Sequence, residues 1–301
     1  MLEPRVAALI LNTNRREDTL ACLGSLVAGT YKNLRIILLD NGSTDGTVAA
    51  VAERFPTVDI LRLKDNRGYA GNNNVGIKAA IDSGADWLFV LNEDTVVDPD
   101  CVGCLVAAGE SNARVGIVGP TVYHYDEPNI IQSAGGTIGR YWESLHLNKD
   151  EPDLSHKSEP RPVDWISGCG IMVRRQVVED VGAIDERYFY YWEETEWCMR
   201  ARRAGWRILH VPAAKLWHKG VQRDYRPPEA VTYYATRNRL LTLAKHHAPL
   251  TVWMGAGAQI VRTLMSWAIR PRWKGMGAHR HAMWRGVVDF VFRRWGGPVQ
   301  L

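Results

Sequence analysis

Two short acidic segments carry the side chains best suited to catalysis. Asn92-Glu93-Asp94 follows an aliphatic run and offers carboxylates to a hard divalent cation such as Mg²⁺ or Mn²⁺, which would in turn bind a diphosphate. Glu193, Glu194 and Glu196 follow an aromatic run at 188–192. A carboxylate among aromatic rings is partly desolvated, so its pKa rises toward that of a general base. The two segments therefore predict a metal-bound diphosphate and a general base.

The acidic segments, and a pair of cysteines elsewhere in the chain, also have purely structural explanations. Acidic residues at a helix N-terminus are favourable by ~0.3–1 kcal/mol without any catalytic role. Cys101 and Cys104 have the spacing of a redox or zinc site, but no second Cys or His pair lies at zinc-ribbon distance, and we assign them to a helix that packs on the core. The sequence contains neither a Walker loop nor a GxGxxG pattern, so other groups must neutralise a bound phosphate.

The elements that would position these residues alternate regularly over the first 100 residues. Short β-branched or aliphatic runs predict four buried parallel strands, at Val6–Asn12, Leu34–Asp40, 58–63 and Trp87–Asn92. Amphipathic patterns predict helices between them, at 17–27, 44–54 and 71–82. This alternation is typical of an α/β fold in which helices cover both faces of a parallel sheet.

Polar clusters stand at the ends of three of these strands, at 12–15, 40–46 and 92–94. Asn, Asp, Ser and Gly in a single cluster are ordinary turn and cap residues. Ligands of an α/β sheet bind at the carboxyl ends of its strands. Three such clusters on one predicted edge therefore indicate a ligand site.

The regular alternation stops after residue 120. We expect residues 123–162, which are rich in Pro, Gly, His and Asp, to form an irregular insertion over the active-site edge. A strand at 163–173, a helix at 194–204 and a strand at 207–211 follow. From residue 229 onward the pattern predicts helices.

Six segments carry a resemblance to a known family. They are VAALILNTNRREDTLACLGSL, LDNGSTDGT, NRGYAGNNNVGI, LFVLNEDTVVDPD, VDWISGCGIMVRR and YWEETEWCMRARRAGWRILHVPAAKLWHKG. In this order and spacing, over residues 4–245, the chain resembles a family 2 glycosyltransferase of the GT-A fold. Within that family it is similar to the bacterial branch that contains rhamnosyl- and galactofuranosyltransferases.

The resemblance implies a role for each motif residue. Asp94 is implied as the principal metal ligand and His218 as the residue that completes the metal site, although the family's DxD motif begins here with Asn92. Glu194 takes the position of the catalytic base, where the family usually has Asp. The implied nucleotide and donor contacts are Thr13, Asn14, Arg15, Asp40, Asn41, Arg67, Asn72, Asn73, Asn92 and Glu93. The implied acceptor contacts are Trp165, Ser167, Gly168, Trp192 and Glu193.

The reaction implied by the resemblance is the inverting transfer of a sugar from a nucleoside diphosphate to a hydroxyl of a lipid-linked or cell-envelope glycan, with Mg²⁺ or Mn²⁺ as cofactor. The asparagine-led motif and the Trp-Ile-Ser-Gly segment favour dTDP-rhamnose as donor. A UDP-linked galactofuranose, hexose or N-acetylhexosamine is the alternative. A nucleotidyltransferase would need a Gly-rich basic first loop, and a nucleic-acid-binding protein would leave the acidic segments without a role.

Positive charge is concentrated in the last quarter of the chain. The net charge is +4 overall, but residues 221–301 contain 13 Lys and Arg against three acidic residues, a net charge of +10. Gln259 and Arg262 interrupt the apolar stretch 248–269, so we do not expect a spanning helix. Basic residues interleaved with Trp instead suit a helix that lies in the headgroup region of an anionic membrane. Packing on the catalytic domain and oligomerisation are the alternatives.

Domain boundaries and location follow from these patterns. We predict a catalytic domain at 1–228, with a nucleotide-sugar half at 1–120 and an acceptor half at 121–228, and a helical region at 229–301. A composition of 46% hydrophobic and 23% charged residues excludes a disordered chain. Five scattered cysteines and the lack of a signal-peptide pattern predict a cytoplasmic protein, peripheral on the inner face of the membrane and without a nucleic-acid partner.

Overall fold

The computed structural model describes residues 3–154, 159–220, 222 and 225–297. Within them the strands are β1 (Val6–Asn12), β2 (Leu34–Asp40), β3 (Asp59–Arg62), β4 (Trp87–Asn92), β5 (Thr95–Val97), β6 (Val115–His124), β7 (Ile131–Ser133), β8 (Gly136–Ile138), β9 (Ser144–His146), β10 (Arg161–Pro162), β11 (Gly170–Arg174) and β12 (Arg207–His218). The α-helices are α1 (Arg16–Val27), α2 (Thr47–Arg54), α3 (Gly68–Asp82), α4 (Cys101–Glu110), α5 (Arg175–Val181), α6 (Glu193–Arg203), α7 (Glu229–Lys245), α8 (Leu250–Ile269) and α9 (Gly277–Val291).

The main sheet has the strand order β10-β12-β6-β11-β4-β1-β2-β3, with β5 and β7 paired outside this path. The strands β1 to β4 are parallel, as predicted. The sheet as a whole is mixed, because β11 lies antiparallel between β4 and β6. β11 is apolar and buried on both faces of the sheet. Ile171, Met172 and Val173 are all buried in the core.

Two hydrophobic layers cover the two faces of the sheet. Val6, Ala8 and Ile10 of β1 face one layer, together with side chains of α1, α2 and α4. Ala7 and Leu9 face the other layer, which contains side chains of α3, α5 and α6. Successive residues of a strand point to opposite faces, so a continuous apolar strand supplies both layers. The predicted α/β fold with helices on both faces is confirmed.

Several predicted boundaries were wrong after residue 120. The strand predicted at 163–173 begins only at Gly170, because the chain at 167–170 turns and the Gly170 N–H donates to the Ser167 carbonyl (3.1 Å). The strand predicted at 207–211 continues to His218, since β12 shifts register between Val211 and Lys215 and then keeps pairing with β6. The insertion predicted as irregular contains β7 to β10, of which β8 and β9 form a small separate sheet.

The region after residue 229 is helical, as predicted. Leu240 and Leu243 of α7 pack with Val252 and Ala256 of α8 in a small core of their own. Among the described residues, no helix is both long enough and apolar enough to cross a membrane.

Candidate active site

The carboxyl ends of the parallel strands border a cleft of about 480 Å³, here called the strand-edge cleft. It contains residues from all three polar clusters of the sequence and from the aromatic run before α6. Of the predicted site residues, its lining includes Thr13, Arg15, Asn41, Asn72, Asn92, Glu93, Asp94 and His218.

Buried Asn12 holds the first two strand ends together. Its side-chain amide donates to Ser43 Oγ (2.9 Å), and its Oδ1 accepts from the backbone N–H of Arg15 (3.2 Å). Asn14 has a left-handed backbone (φ 54°), and its Oδ1 accepts from the Thr44 N–H (2.7 Å). The β1 and β2 loops are therefore joined to each other, which fixes the edge of the cleft.

Four predicted donor residues do not line the strand-edge cleft. Asp40 is 3% exposed, and its Oδ1 accepts from the Ser43 N–H (3.3 Å). Asn14 is engaged with the β2 loop, and Arg67 forms an ion pair with Glu186 (2.5 Å). The buried Asn73 amide donates to the Tyr69 carbonyl (2.9 Å). These side chains support the loops around the cleft in this structure.

Asp94 and His218 meet at the floor of the cleft in a geometry that fits a metal ion. His218 Nδ1 lies 2.8 Å from buried Gln132 Oε1, which can only accept, so Nδ1 donates there and Nε2 is the nitrogen that faces Asp94. That nitrogen lies 3.2 Å from Asp94 Oδ1 and 3.4 Å from Asn92 Nδ2. A carboxylate oxygen and an imidazole lone pair at this separation suit a cation bound between them.

Gly220 keeps this place open. A Cβ at Gly220 would lie 2.6 Å from Asp94 Oδ2 and 3.1 Å from His218 Nε2. Within the described residues, no group of three His, Cys, Asp or Glu side chains could hold a metal on its own. A cation bound by Asp94 and His218 would therefore complete its coordination with water and with phosphate oxygens, as Mg²⁺ commonly does.

Several charged side chains surround Asp94 and His218. Arg15 lies 3.6 Å from Asp94 and 3.8 Å from Glu93, and it is also paired with Asp18 (2.8 Å). Burial and the neighbouring Asp94 raise the pKa of Glu93 to about 7. Burial opposes ionisation of Asp94, but His218 and Arg15 outweigh it and lower the pKa of Asp94. Of these two carboxyl groups, Asp94 is therefore the one whose surroundings favour the ionised form.

A second cavity of about 310 Å³, here called the Glu194 cavity, adjoins the strand-edge cleft. Tyr191 and His218 line both spaces. The predicted residues Trp165, Ser167, Trp192 and Glu194 lie in its wall. The Asp94–His218 pair and Glu194 therefore lie in two adjoining spaces.

The two remaining predicted residues stand behind Glu194. A Cβ at Gly168 would lie 3.2 Å from the Tyr69 hydroxyl and 3.7 Å from Glu194 Cδ, so only glycine leaves this approach open. Glu193 is 4% exposed and lines neither space. Burial and the neighbouring Glu194 hold the pKa of Glu193 well above its usual range.

Glu194 has the environment of a general base. Burial raises its pKa, and backbone N–H groups of Glu194, Thr195 and Gly168 offset this only in part. Its Oε2 has no hydrogen-bond partner in the structure. A buried, unpaired carboxylate oxygen on a cavity wall can accept a proton from a hydroxyl that enters the cavity.

The pH dependence of activity should reflect this burial. A base is active only when deprotonated, so kcat/KM should fall as the pH falls through the raised pKa of Glu194. We expect the acidic limb of the profile to lie above 4.5, the ordinary glutamate value. A pH–rate profile, measured where circular dichroism shows the enzyme folded, checks this. An acidic limb at or below 4.5 would contradict the desolvated base.

The aromatic run before α6 has an unusual backbone. Phe189, Tyr191 and Trp192 all have left-handed φ angles (61°, 67° and 77°), which bulky residues rarely adopt. Asn238 of α7, fully buried, donates through Nδ2 to the carbonyls of Tyr188 (2.9 Å), Tyr190 (2.8 Å) and Tyr191 (2.7 Å). A helix of the C-terminal region therefore holds the segment that leads into Glu194.

Arg237 acts beside Asn238. Its guanidinium donates to the carbonyls of Arg187 (3.0 Å), Tyr188 (2.9 Å) and Gly296 (2.8 Å), and its Nε donates to Asn238 Oδ1 (2.9 Å). The sequence analysis missed both residues. The signal was present as the polar pair Arg237-Asn238 among apolar residues of a predicted helix, where a buried polar side chain requires a partner.

Replacing Asn238 with Ala should lower kcat by roughly 100-fold, because misplacing a catalytic group by about 1 Å costs that much. The donor KM should change less than kcat, since Asn238 lines neither space itself and acts on the strand-edge cleft only through the backbone of Tyr190 and Tyr191. Leu243→Ala on the same helix is the matched control, since Leu243 is buried in the small core between α7 and α8 and lines neither space. Equal losses in both variants, or a loss in KM alone, would show that Asn238 acts only on stability.

The fold and the site define a class before any comparison is made. The sheet has polar loops at its carboxyl edge, an Asp–His pair that could hold one metal ion, and a buried carboxylate in an adjoining cavity. These are the features of a GT-A nucleotide-sugar transferase. The chain matches the model of the family described as Glycosyl transferase family 2 over residues 8–182. It belongs to this family, is a glycosyltransferase and uses a nucleotide-sugar donor.

Individual relatives support the same assignment. The chain is 30% identical over 244 residues to the N-acetylglucosaminyl-diphospho-decaprenol L-rhamnosyltransferase of Mycobacterium tuberculosis, covering 75% of this chain and 80% of that protein. It is 25% identical to the dTDP-rhamnosyl transferase RfbF of Shigella flexneri, covering 73% and 74%. The resemblance to the rhamnosyltransferase branch is thereby confirmed.

A solved structure shares the fold. The mannosyltransferase PcManGT from Pyrobaculum calidifontis, in complex with GDP-Man and Mn²⁺, superposes with a TM-score of 0.60, covering 97% of this chain and 88% of that one. The two chains are 15% identical, so this likeness supports the GT-A fold alone.

Proposed function

We propose that this enzyme transfers rhamnose from dTDP-rhamnose, with inversion at C1, to a hydroxyl of a sugar linked through diphosphate to a polyprenol. The observation that carries the proposal is the pair of adjoining spaces, one with Asp94 and His218 and the other with Glu194. This arrangement suits a donor and an acceptor that meet between a metal and a base. The names of the two rhamnosyltransferase relatives support the choice of sugar.

The donor diphosphate would lie in the strand-edge cleft. Asp94 and His218 would hold Mn²⁺ or Mg²⁺, and the imidazole nitrogen favours Mn²⁺, since Mg²⁺ prefers oxygen ligands. The bound metal would supply positive charge that stabilises the leaving diphosphate. Arg15 lies beside the same acids and adds a fixed cation, while Thr13 and Asn41 offer hydroxyl and amide groups to the nucleoside.

The acceptor would occupy the Glu194 cavity. Trp165, which is almost fully buried, contributes aromatic ring atoms to its wall, and Ser167 offers a hydroxyl. Glu194 would remove the proton from the attacking hydroxyl as that oxygen bonds to C1 from the side opposite the diphosphate. A single displacement of this kind inverts C1 and needs no covalent intermediate.

Nucleotide-dependent thermal stabilisation distinguishes the candidate functions. A ligand at 100 times its Kd stabilises the folded state by about 2.7 kcal/mol. We expect dTDP with Mn²⁺ to raise Tm more than UDP does. A larger shift with UDP would favour the UDP-sugar alternative, and one with CTP or UTP a nucleotidyltransferase. Stabilisation by an oligonucleotide alone would overturn the proposal.

We also propose that α8 docks the enzyme on an anionic membrane surface. Five exposed apolar side chains form one stripe along this helix, spaced at multiples of about one turn: Leu250, Met254, Val261, Met265 and Ile269. Arg262, Arg270 and Arg272 lie within or next to the stripe. An apolar stripe flanked by cations is the pattern of a helix that lies in the headgroup region.

Replacing apolar side chains of this stripe with serine should strongly weaken vesicle binding. In co-sedimentation with phosphatidylglycerol vesicles, the variant Met254→Ser, Met265→Ser, Ile269→Ser should bind roughly tenfold less or weaker still. Wild-type binding should weaken as salt shortens the Debye length from about 10 Å at 0.1 M to about 3 Å at 1 M. Truncation after Lys245 is a poorer test, because it would uncover Leu240 and Leu243.

Val27→Ser on α1 is the matched control, as Val27 is also an exposed apolar residue. Equal binding to neutral vesicles would favour a purely apolar anchor. Binding to neither kind of vesicle would contradict membrane docking.

A further inference from the structure

A groove of about 520 Å³ between α7 and α8, here called the α7–α8 groove, continues the Glu194 cavity. Ser144 and Trp192 line both spaces. At its other end Arg262 is shared with an apolar groove of about 550 Å³ on the exposed side of α8, here called the α8 groove. The Glu194 cavity, the α7–α8 groove and the α8 groove are therefore neighbours that share wall residues, and the residues that line the α8 groove all lie on α8 or, as Arg270 does, directly after it.

The chemistry of the walls changes from one space to the next. At the inner end Ser144, Glu143 and Arg239 are polar or charged. Arg262 stands at the junction of the two grooves, and beyond it Ala258, Val261, Met265 and Ile269 form an apolar wall. The α7–α8 groove also has apolar wall residues, among them Ile260, Trp267 and Met283, whereas the α8 groove is apolar apart from Ser266 and two arginines.

Side-chain hydrogen bonds fix the inner end of the α7–α8 groove. Gln259 of α8 donates to Glu143 Oε1, and the Arg239 guanidinium of α7 donates to the Tyr141 carbonyl and to Gln259 Oε1 (2.8 Å). Tyr141 and Glu143 lie in the turn between β8 and β9, and Ser144 and His146 of β9 line the Glu194 cavity. The wall of the groove and the wall of the cavity are therefore joined by side-chain hydrogen bonds.

We propose that the α7–α8 groove and the α8 groove bind the lipid part of the acceptor. The diphosphate lies beside Arg262 and the first isoprene units lie along Ala258, Val261 and Met265, while the acceptor sugar faces Glu194. This rests on the proposed function, and it adds a binding site for the lipid carrier. The acceptor joins a sugar, a diphosphate and a prenyl chain in that order, and the Glu194 cavity, Arg262 and the apolar face of α8 offer each of them a matching neighbour.

The charge and position of the grooves favour this occupant. The Arg239 charge is offset by Glu143, 3.8 Å away, whereas no acidic residue lines the α8 groove beside Arg262 and Arg270. An anionic group is therefore attracted at Arg262. The outer groove opens on the apolar stripe of α8, so a prenyl chain would pass from the bilayer into the groove without crossing water.

Two substitutions separate the lipid from the diphosphate. The probes are N-acetylglucosaminyl diphosphate carrying either a decaprenyl or an ethyl group, assayed in detergent micelles so that membrane docking plays no part. Ala258→Trp fills the apolar groove and should raise KM for the decaprenyl acceptor roughly tenfold or more, while the ethyl acceptor is unaffected. Arg262→Gln should raise KM for both diphosphate acceptors roughly tenfold.

Trp284→Ala is the control, because Trp284 is an exposed apolar residue of α9 that lines neither groove. Wild-type enzyme should prefer the decaprenyl acceptor, and Trp284→Ala should keep both that preference and the wild-type rates. Equal effects of Ala258→Trp on both acceptors, or none on either, would overturn the inference.

A binding assay separates this inference from the proposed function. Decaprenyl diphosphate with a benzophenone in its first isoprene units should crosslink to residues 258–269 in wild type and not in Ala258→Trp. Crosslinking without any sugar transfer would leave the lipid site standing and contradict the proposed reaction. Transfer that is independent of chain length, without crosslinks in α8, would contradict the lipid site and leave the reaction standing.

Discussion

Glu194→Gln should lower turnover by roughly 10²–10⁴-fold while dTDP binding stays at the wild-type level. Glutamine keeps the shape of the side chain but cannot take a proton from the acceptor hydroxyl. The loss should appear in kcat, because Glu194 lines the Glu194 cavity and not the strand-edge cleft that would bind the nucleotide. Single-turnover transfer and calorimetric dTDP binding, measured on the same preparation, check both parts.

Glu193→Gln is the matched control for this experiment. Burial and Glu194 raise the pKa of Glu193 well above its usual range, and Glu193 lines neither space, so its replacement by the neutral glutamine of the same shape should matter little. We expect this variant to retain activity within a few-fold of wild type. A dead Glu193→Gln with an active Glu194→Gln would reverse the assignment of the base.

Asp94→Ala should remove the Mn²⁺-dependent part of dTDP binding. The change deletes the carboxylate that pairs with His218, and even losing a group that merely supports a metal ligand costs about 10–100-fold in metal affinity. We expect dTDP affinity in Mn²⁺ to fall by about 100-fold and to match the affinity measured in EDTA. Isothermal titration with and without Mn²⁺ provides the measurement.

Asp18→Asn tests whether charge alone explains that result. Asp18 is a nearby carboxylate paired with Arg15 and Lys219, and it does not line the cleft. We expect its removal to leave the Mn²⁺ dependence intact. If Asp94→Ala retained full Mn²⁺-dependent affinity, Asp94 would not be the metal ligand.

The first half of the fold was predictable because each of its strands is one uninterrupted and mostly apolar stretch of sequence. The runs at β1, β2 and β4 are mostly apolar, and the predicted bounds agree with the structure. The antiparallel direction of β11 was not predictable, since a buried strand is equally apolar in either direction. The extension of β12 was missed for a related reason, because Pro212 and Lys215 interrupt the pattern at the register shift.

The site was predictable to the extent that it lies at strand ends. Asp94 follows β4 directly, and Glu194 begins a helix after an unmistakable aromatic run, so their types and positions were informative. Gln132 and Asn238 were missed because their partners are 86 and about 50 residues away, and no local pattern indicates such a contact. The boundary at residue 228 matches the start of α7, but the separation of 229–301 as a domain stays a prediction.

The most direct test of the account is a donor panel followed by NMR of the product. The enzyme, Mn²⁺ and the decaprenyl-diphosphate N-acetylglucosamine acceptor are incubated with dTDP-rhamnose or with UDP-linked galactofuranose, hexoses and N-acetylhexosamines. The account predicts that dTDP-rhamnose is consumed and that the transferred rhamnose has the anomeric configuration opposite to that of the donor. Inert dTDP-rhamnose with consumption of a UDP-sugar would contradict the proposed donor, and a product with retained configuration would contradict the role of Glu194.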